Sequence, residues 1–192
     1  MTFLSILAVF IAYLIGSLSA AIITSKLMGL PDPRTYGSDN PGATNVYQHV
    51  GKRAAIFTLL GDLFKGLLVV YIVKLMIGSD VITALAGSAV FLGHLYPLYF
   101  NFRGGKGVAT AFGVVIGLDL VVASIMLVTW LFVYKVSKLS SLSALASAFL
   151  LPVYLYFLVD NAAYVWLGLF MSVMLFVRHR SNIVKILDGT ED

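Results

Sequence analysis

The sequence contains no cysteine and few charged residues. Without cysteine, disulfide bonds, thiolate metal sites and cysteine nucleophiles are excluded. Only 11% of the residues are charged, whereas a soluble globular domain uses about 25%. In contrast, 60% of the 192 residues are hydrophobic, and the mean hydropathy is +0.96. The composition therefore predicts an integral membrane protein.

The apolar residues form runs that are long enough to cross a bilayer, which takes about 20 residues in a helix. We predict spans at residues 3–24, 54–77, 81–100, 142–159 and 162–177. The first run has no basic residue before it and is longer than the apolar core of a signal peptide. We therefore interpret it as a retained helix. The polar segment 25–52 and the polar tail from Arg178 are predicted to lie outside the membrane.

Residues 108–134 are apolar except for Asp119 and allow two interpretations. As one helix, the run is too long for a span unless it tilts. As two helices that meet at Asp119, its first part, 108–118, is about 16 Å long against roughly 30 Å of hydrocarbon. Such half-spans are tolerated where they line a cavity.

The distribution of basic residues favours the turn at Asp119. With that turn, one side of the membrane carries almost all of the basic residues: Lys26, Arg34, Lys52, Arg53, Arg103, Lys106, Lys135, Lys138, Arg178, Arg180 and Lys185. The opposite turns carry Asp80, Asp119 and Asp160, and only Lys74 approaches them. By the positive-inside rule, we predict about seven transmembrane helical segments, one of them short. The N-terminus is then outside and the C-terminus inside.

The net charge and the histidine spacing also limit which partners are expected. The net charge of +4 reports membrane orientation rather than nucleic-acid binding. The three histidines lack the spacing of metal ligands, so we predict no metal. We expect residues 1–192 to form a single multi-pass domain.

The first polar segment has the composition of an anion-binding loop. Between residues 36 and 45, Gly37 and Gly42 are interspersed with Ser38, Asn40 and Asn45. Glycine lets neighbouring amides point in one direction, and serine and asparagine add small donors. Ordinary turns use the same residues, so this segment alone does not decide between the two interpretations.

A second loop, residues 102–107, is basic and rich in glycine. Gly104, Gly105 and Gly107 surround Lys106, directly before the short helix. A glycine-rich loop that leads into a helix N-terminus presents amides and the positive end of the helix dipole to a phosphate. The spacing is not that of a Walker A motif. A basic loop that only obeys the positive-inside rule is the alternative, but three glycines around one lysine favour a phosphate site.

Basic residues also mark the inner end of the last span. Arg178 and Arg180 can bind phosphate, and His179 between them is a candidate general acid or base. A basic flank at the membrane interface is the alternative. Three serines start the preceding span: Ser140, Ser141 and Ser143. We expect at least one of them to act as an N-cap.

Two ionisable residues lie inside an apolar run. Asp62 and Lys65 are spaced i, i+3, so they share a helix face and can pair. Intramembrane charges are candidates for function, and a structural pair is at least as well supported. We interpret His94, close to Pro97, as a hydrogen-bonded structural residue at a kink.

Three segments resemble the signature regions of a known family: 37–45, 93–110 and 179–191. The most specific match is the sequence Gly93-His94 followed by Gly104-Gly105-Lys106-Gly107-Val108-Ala109-Thr110. The resemblance, which includes Asp62-x-x-Lys65-Gly66, extends over essentially the whole chain. It is to the bacterial acyl-phosphate-dependent glycerol-3-phosphate acyltransferases of the PlsY type. It implies a seven-helix fold in the bacterial cytoplasmic membrane, an active site on the cytoplasmic side and no separate cofactor.

The resemblance also implies an activity and a set of site residues. The enzyme would transfer a fatty acyl group from acyl phosphate to the 1-hydroxyl of glycerol 3-phosphate, giving lysophosphatidic acid and phosphate in the first acylation step of phospholipid synthesis. The positions that match the motifs are Gly37, Ser38, Asn40, Asn45, Gly104, Gly105, Lys106, Ser141, His179, Arg180 and Asn182. We expect phosphate or substrate binding from this set, and catalysis from His179, Lys106 and Ser38. Either His179 or the phosphate of the donor would accept the proton.

The chain departs from the family pattern at three positions. Gln48 stands where an arginine usually follows the motif asparagine by three residues, and Ser181 stands where an acidic residue usually follows the His-Arg pair. Ala144 replaces a serine expected near the start of a helix. Loss of the guanidinium at position 48 is expected to weaken the binding of one phosphate, unless Lys52 or Arg53 replaces it.

Two other function classes fit parts of the pattern. Transporters of phosphate-bearing solutes also point half-helix N-termini at anions, but they usually contain repeats and polar groups at the membrane midplane. Here the polar groups cluster at one face, which favours an enzyme. The three departures motivate the second alternative, a non-catalytic scaffold. The expected partners are acyl phosphate, glycerol 3-phosphate and membrane lipid.

Overall fold

The computed structural model describes residues 2–191, in which the regular secondary structure is helical and no strand is present. Ten α-helices follow one another within this described part: α1 Phe3–Gly16, α2 Ala20–Leu27, α3 Ala43–His49, α4 Lys52–Ile77, α5 Asp80–Leu95, α6 Val108–Leu118, α7 Leu120–Ser137, α8 Ser140–Leu158, α9 Ala162–Arg178 and α10 Arg180–Leu187. A single 3₁₀ turn, Leu98–Phe100, follows α5.

Among residues 2–191, the helices supply four to six candidate membrane spans and one shorter apolar helix. Four are long and apolar enough to cross by themselves: α4, α5 with the 3₁₀ turn, α7 and α8. Two more are bent pairs, α1 with α2 at 47° and α9 with α10 at 62°, and α6 is a shorter apolar helix. The predicted all-α membrane fold is confirmed, including its short segment. The sides that the two termini face stay a prediction.

The helix break predicted at Asp119 is present, and the reversal of the chain there stays a prediction. Helix α6 ends at Leu118, and α7 begins at Leu120. The Asp119 side chain accepts a hydrogen bond of 2.8 Å from the amide of Val122. This carboxylate therefore caps the N-terminus of α7, where it also interacts favourably with the helix dipole.

Three segments differ from the sequence-based prediction. The first span is not continuous, because Ser17–Ser19 separates α1 from α2 and Ser19 caps α2 through the amide of Ile22. The polar segment 25–52 contains α3 as well as loop, and the polar tail contains α10. Hydropathy does not detect such short helices, because their side chains are polar or mixed.

The chain divides into two compact units, the first ending at Gly117 and the second beginning at Leu118. Our expectation of a single domain over residues 1–192 stays a prediction. In the first unit, glycines allow close helix contacts. A side chain at Gly16 of α1 would overlap the carbonyl of Val90 in α5, and one at Gly113 of α6 would overlap the carbonyl of Leu63 in α4. Small residues of this kind let membrane helices approach closely.

Candidate functional site

The glycine-rich loop, residues 101–107, begins where α5 can no longer continue. Helix α5 ends at Leu95, shortly before Pro97, because a residue before proline avoids the helical conformation. Asn101 then adopts a left-handed φ of 55°, and Gly107 a φ of 94°. These left-handed residues change the direction of the backbone after the 3₁₀ turn, and α6 begins directly after Gly107.

This loop lies directly on the C-terminal end of α5. The amide of Gly105 donates a hydrogen bond of 3.2 Å to the carbonyl of His94. A Cβ at Gly104 would overlap the carbonyls of His94 and Leu95, and a Cβ at Gly105 would overlap the His94 imidazole. The two glycines are therefore needed for close packing as well as for any ligand. Lys106, next in the chain, is half-buried.

Helix α6 starts immediately after the loop. Its first intrahelical hydrogen bond, 2.8 Å long, runs from the amide of Ala111 to the carbonyl of Gly107. The first turn of any α-helix has amides without intrahelical acceptors and carries the positive end of the helix dipole. Lys106 therefore stands beside a helix N-terminus, which is the arrangement that the sequence predicts for a phosphate site.

A buried charge cluster lies beneath the loop, and we define it as Asp62, Lys65 and His94. The Lys65 ammonium is 2.8 Å from a carboxylate oxygen of Asp62 and donates a hydrogen bond of 2.8 Å to the carbonyl of Leu18. Nδ1 of His94 is 3.0 Å from Nζ of Lys65 and 3.3 Å from Oδ1 of Asp62. The predicted i, i+3 pair and the bonded histidine are both confirmed.

The first loop, residues 28–42, is organised by the side chain of Asn45. Asn45 is only 1% exposed. Its Nδ2 donates hydrogen bonds to the carbonyls of Pro33, Tyr36 and Asn40 at 3.0, 3.2 and 3.1 Å. Its Oδ1 accepts one of 3.1 Å from the Ser38 amide. Asn45, which the resemblance assigned to substrate binding, thus bonds to the loop itself, while the side chain of Ser38 is exposed and Asn40 is half-buried.

Gly37 is fitted into the same arrangement. It adopts a left-handed φ of 61°, and a Cβ there would overlap the amide oxygen of Asn45 and the imidazole of His49. The ring of His49 lies 5.6 Å from that of Tyr36, measured between centroids. Burial raises the pKa of the Tyr36 phenol. The first-motif glycine is therefore a packing requirement of the first loop.

Arg34 joins the first loop to the segment before the glycine-rich loop. Its guanidinium donates to the carbonyl of Phe100 at 3.2 Å and to a carboxylate oxygen of Asp32 at 2.7 Å. The hydrogen bonds from Arg34 hold the pKa of Asp32 below its usual value. Sequence reasoning counted Arg34 only as an inner-side charge, and no local pattern marks its partner 66 residues away. Within the first unit, Arg34 thus joins the first loop to the segment before the glycine-rich loop.

The third motif lies in the second unit, at the bend between α9 and α10. His179 is 3% exposed, and its Nδ1 lies 2.8 Å from the carbonyl of Leu175. Because a carbonyl only accepts, Nδ1 is the donor, which leaves Nε2 as the acceptor nitrogen of the neutral ring. Arg180 is exposed, and the side-chain Nδ2 of Asn182 donates a hydrogen bond of 2.6 Å to the carboxylate of Glu191.

The serines of α8 do not cap the helix. Its N-cap residue is Leu139, which makes no side-chain cap bond, so the capping prediction is wrong. Ser143 instead donates to the carbonyl of Leu139 at 2.8 Å. The hydroxyl oxygen of Ser141 is buried and has no hydrogen-bond partner among residues 2–191. Unsatisfied buried hydroxyls are uncommon, so Ser141 remains a candidate to contact a ligand.

Comparison with known proteins identifies the family of this chain. The sequence model of the family described as Glycerol-3-phosphate acyltransferase matches residues 6–189. The glycerol-3-phosphate acyltransferase of Hydrogenovibrio crunogenus is 53% identical over 182 residues, which cover 94% of this chain and 87% of that protein. The corresponding protein of Methylococcus capsulatus is 53% identical over 180 residues, which cover 94% and 91%.

Two solved structures have the same fold as this chain. The crystal structure of PlsY (YgiH), an integral membrane glycerol 3-phosphate acyltransferase, in its glycerol 3-phosphate form has a TM-score of 0.94 and 33% identity, covering 98% of this chain and 94% of that chain. Its lysophosphatidic acid form has a TM-score of 0.92, 32% identity and the same coverage. The family match, the relatives and the shared fold each cover almost the whole chain, and this integral membrane protein therefore belongs to the glycerol-3-phosphate acyltransferase family.

Proposed function

We propose that this protein transfers a fatty acyl group from acyl phosphate to the 1-hydroxyl of glycerol 3-phosphate, giving lysophosphatidic acid and phosphate. The observation that carries the proposal is the glycine-rich loop with Lys106 at the N-terminus of α6, in a member of the glycerol-3-phosphate acyltransferase family. The reaction is the first acylation step of phospholipid synthesis. It would take place at the cytoplasmic face of the bacterial inner membrane, where the positive-inside rule places the basic loops.

Acyl phosphate is a mixed anhydride that is already activated, so the chemistry required of the protein is limited. The hydroxyl oxygen of glycerol 3-phosphate attacks the acyl carbonyl carbon, and the bond from that carbon to the phosphate oxygen breaks. Holding the two reactants in the correct geometry lowers the barrier greatly. Positive groups must also stabilise the charge on the carbonyl oxygen and the departing phosphate.

The glycine-rich loop is suited to one of the two phosphates. Gly104 and Gly105 keep the backbone close to α5, and Lys106 adds a positive charge beside the first turn of α6. Charge-assisted contacts with phosphate are among the stronger hydrogen bonds in proteins. We assign this loop to a phosphate whose negative charge grows or shifts during transfer, which makes Lys106 a catalytic group.

The remaining predicted residues are assigned to the other phosphate or to the glycerol. Ser38 and Asn40 belong to the first unit and Ser141, Arg180 and Asn182 to the second, and that they share one ligand stays a prediction. The exposed Ser38 and Arg180 are accessible to a soluble substrate, and Ser141 has an unsatisfied hydroxyl oxygen. Asn45 and Gly37 contribute by shaping the first loop, because the side-chain amide of Asn45 forms its hydrogen bonds with that loop.

His179 is proposed as the group that accepts the hydroxyl proton. Its Nδ1 donates to the Leu175 carbonyl, so Nε2 carries the lone pair that a general base needs. The alternative base is an oxygen of the donor's phosphate. A folded His179→Ala variant is expected to lose about 100-fold or more in kcat if His179 is the base. Near-normal kcat would assign the proton to the substrate.

The experiment that tests the proposed reaction compares acyl donors. The purified protein, in detergent or lipid, is given labelled glycerol 3-phosphate with acyl phosphate, acyl-coenzyme A or an acyl carrier protein thioester. We expect labelled lysophosphatidic acid with acyl phosphate and none with the two thioesters. Product from a thioester alone would replace the proposed donor. Absence of product from folded protein with intact acyl phosphate would favour a non-catalytic member.

A further inference from the structure

The buried charge cluster has no role in the chemistry proposed above, although charged groups inside a membrane span are costly. Asp62 and Lys65 are 2% and 8% exposed. A buried ion pair contributes little to stability, since apolar residues of similar volume often replace one without loss. Stability alone therefore does not explain why α4 carries the pair.

His94 is the residue through which the cluster contacts the glycine-rich loop. The carbonyl of His94 accepts the hydrogen bond from the Gly105 amide, and its imidazole packs so closely on Gly105 that a Cβ there would overlap Nε2. One residue therefore supports the glycine-rich loop with both its backbone and its ring. The position of that ring determines where the backbone before Lys106 can lie.

Away from the loop, the ring is held by the charged pair. Nδ1 of His94 faces both Lys65 and Asp62, and Lys65 is fixed in turn by its hydrogen bond to the carbonyl of Leu18. Leu18 lies in the break between α1 and α2, where backbone carbonyls lack the N–H donors of a continuous helix. The cluster thus connects the α1–α2 break, α4, α5 and the glycine-rich loop.

We propose that Asp62, Lys65 and His94 are positioning residues that hold the glycine-rich loop in the geometry needed for acyl transfer. This inference rests on the proposed function of that loop. The cluster does not touch the substrate in this account. It acts by fixing the His94 ring, on which Gly105 lies. A misplacement of about 1 Å in a catalytic group can lower the rate by roughly 100-fold.

The test uses the full-length protein in lipid and a double variant, Asp62→Asn with Lys65→Met, which removes both charges together. A single substitution would leave one buried charge unpaired and would destabilise the fold. The matched control is Thr83→Val on α5, a buried polar residue whose hydroxyl donates to Ser79 at 2.9 Å. Two quantities are measured for each protein: amide hydrogen exchange of residues 104–107, and kcat/KM of acyl transfer.

For the double variant we expect the exchange of residues 104–107 to accelerate at least tenfold and kcat/KM to fall at least tenfold, with Thr83→Val within twofold of wild type in both. Unchanged exchange would overturn the proposal, whatever happens to kcat/KM. Faster exchange with unchanged kcat/KM would also overturn it, because the loop position would then not matter for transfer.

A second variant keeps the test decisive if the double variant does not fold. His94→Asn places an amide near the position of Nδ1 and removes the ring edge that supports Gly105, so the same two changes are expected. If wild-type protein forms no lysophosphatidic acid, the proposed function fails. The exchange experiment then still reports whether the cluster holds the loop, so the two failures are distinguishable.

Discussion

The first loop and the glycine-rich loop both lie in the first unit, and both are predicted to bind anions because of their glycines. Different contacts hold the two loops in the structure. The first loop is held by one side chain, since Asn45 bonds to three of its carbonyls and one amide. The glycine-rich loop is held by the backbone and ring of His94 at the end of α5. A side chain can move and find new partners, whereas a packed backbone cannot. The glycine-rich loop should therefore tolerate substitution less well.

The largest effect is expected from Gly104→Ala. The added Cβ would overlap the carbonyls of His94 and Leu95, which cannot rotate away. The loop must shift as a whole, so kcat/KM should fall on the order of 100-fold or more. The control is Val136→Ala, an exposed position near the end of α7. A Gly104→Ala enzyme within threefold of wild type in steady-state assays would contradict the rigid description of this loop.

A smaller loss is expected from Asn45→Asp. The carboxylate still accepts from the Ser38 amide, but it has no donor for the carbonyls of Pro33, Tyr36 and Asn40. Losing these bonds should lower the free energy of unfolding by about 1–3 kcal/mol and kcat/KM by about tenfold, a loss that corresponds to roughly 1.4 kcal/mol. Thermal unfolding and steady-state kinetics measure the two effects. Asn161→Asp, which retains an N-cap for α9, is the control. If Asn45→Asp lowered kcat/KM as much as Gly104→Ala does, the two loops would not differ in their tolerance of substitution.

Arg34→Met tests the connection between the two loops. The variant loses the bonds to Phe100 and Asp32. Because this pair is partly exposed, its contribution to stability should be below about 1 kcal/mol, with a loss of about threefold or less in kcat/KM.

The pKa of Asp32 is lowered in the folded state, so the pair stabilises the protein above the ordinary pKa of 3.8 and this contribution disappears as pH falls through the folded pKa. The difference in unfolding temperature between wild type and Arg34→Met should be constant from about pH 5 to 8. A difference that grows as the pH falls below 3.8 would contradict the assignment.

The smallest effect is expected from Gln48→Arg. Gln48 lies on α3, three residues after Asn45, and its side chain is exposed. An arginine there would add a positive charge beside the first loop, and exposed charges interact weakly in water. We expect KM for glycerol 3-phosphate to fall about twofold to threefold, which is under 1 kcal/mol, with kcat unchanged. An increase in KM would show that the first loop does not bind this substrate.

Some features of the fold could be predicted because they depend on local physical chemistry. Asp119 interrupts an apolar run and can cap a helix, so the short helix α6 and the break after it follow from the sequence. Asp62 and Lys65 face each other because any i, i+3 pair does. The break at Ser17–Ser19 was missed because two small serines hardly lower the hydropathy of a long apolar run.

The roles of individual site residues depend on contacts that are distant in sequence. His94 could be predicted to be bonded, but its partner Lys65 is 29 residues away. Asn45 was assigned to the substrate by its motif, and only the fold reveals that its amide is used by loop carbonyls up to 12 residues away. A single sequence gives residue types and spacings, and these do not distinguish a ligand-binding amide from one that shapes a loop.

The central claim is that the glycine-rich loop binds a reacting phosphate through Lys106, and one comparison tests it most directly. Initial rates of lysophosphatidic acid formation from acyl phosphate are measured for wild type, Lys106→Ala and Lys135→Ala, an exposed lysine in the last turn of α7. We predict that Lys106→Ala loses about 100-fold to 1,000-fold in kcat/KM, while Lys135→Ala stays within twofold of wild type. A folded Lys106→Ala enzyme within threefold of wild type would contradict the claim.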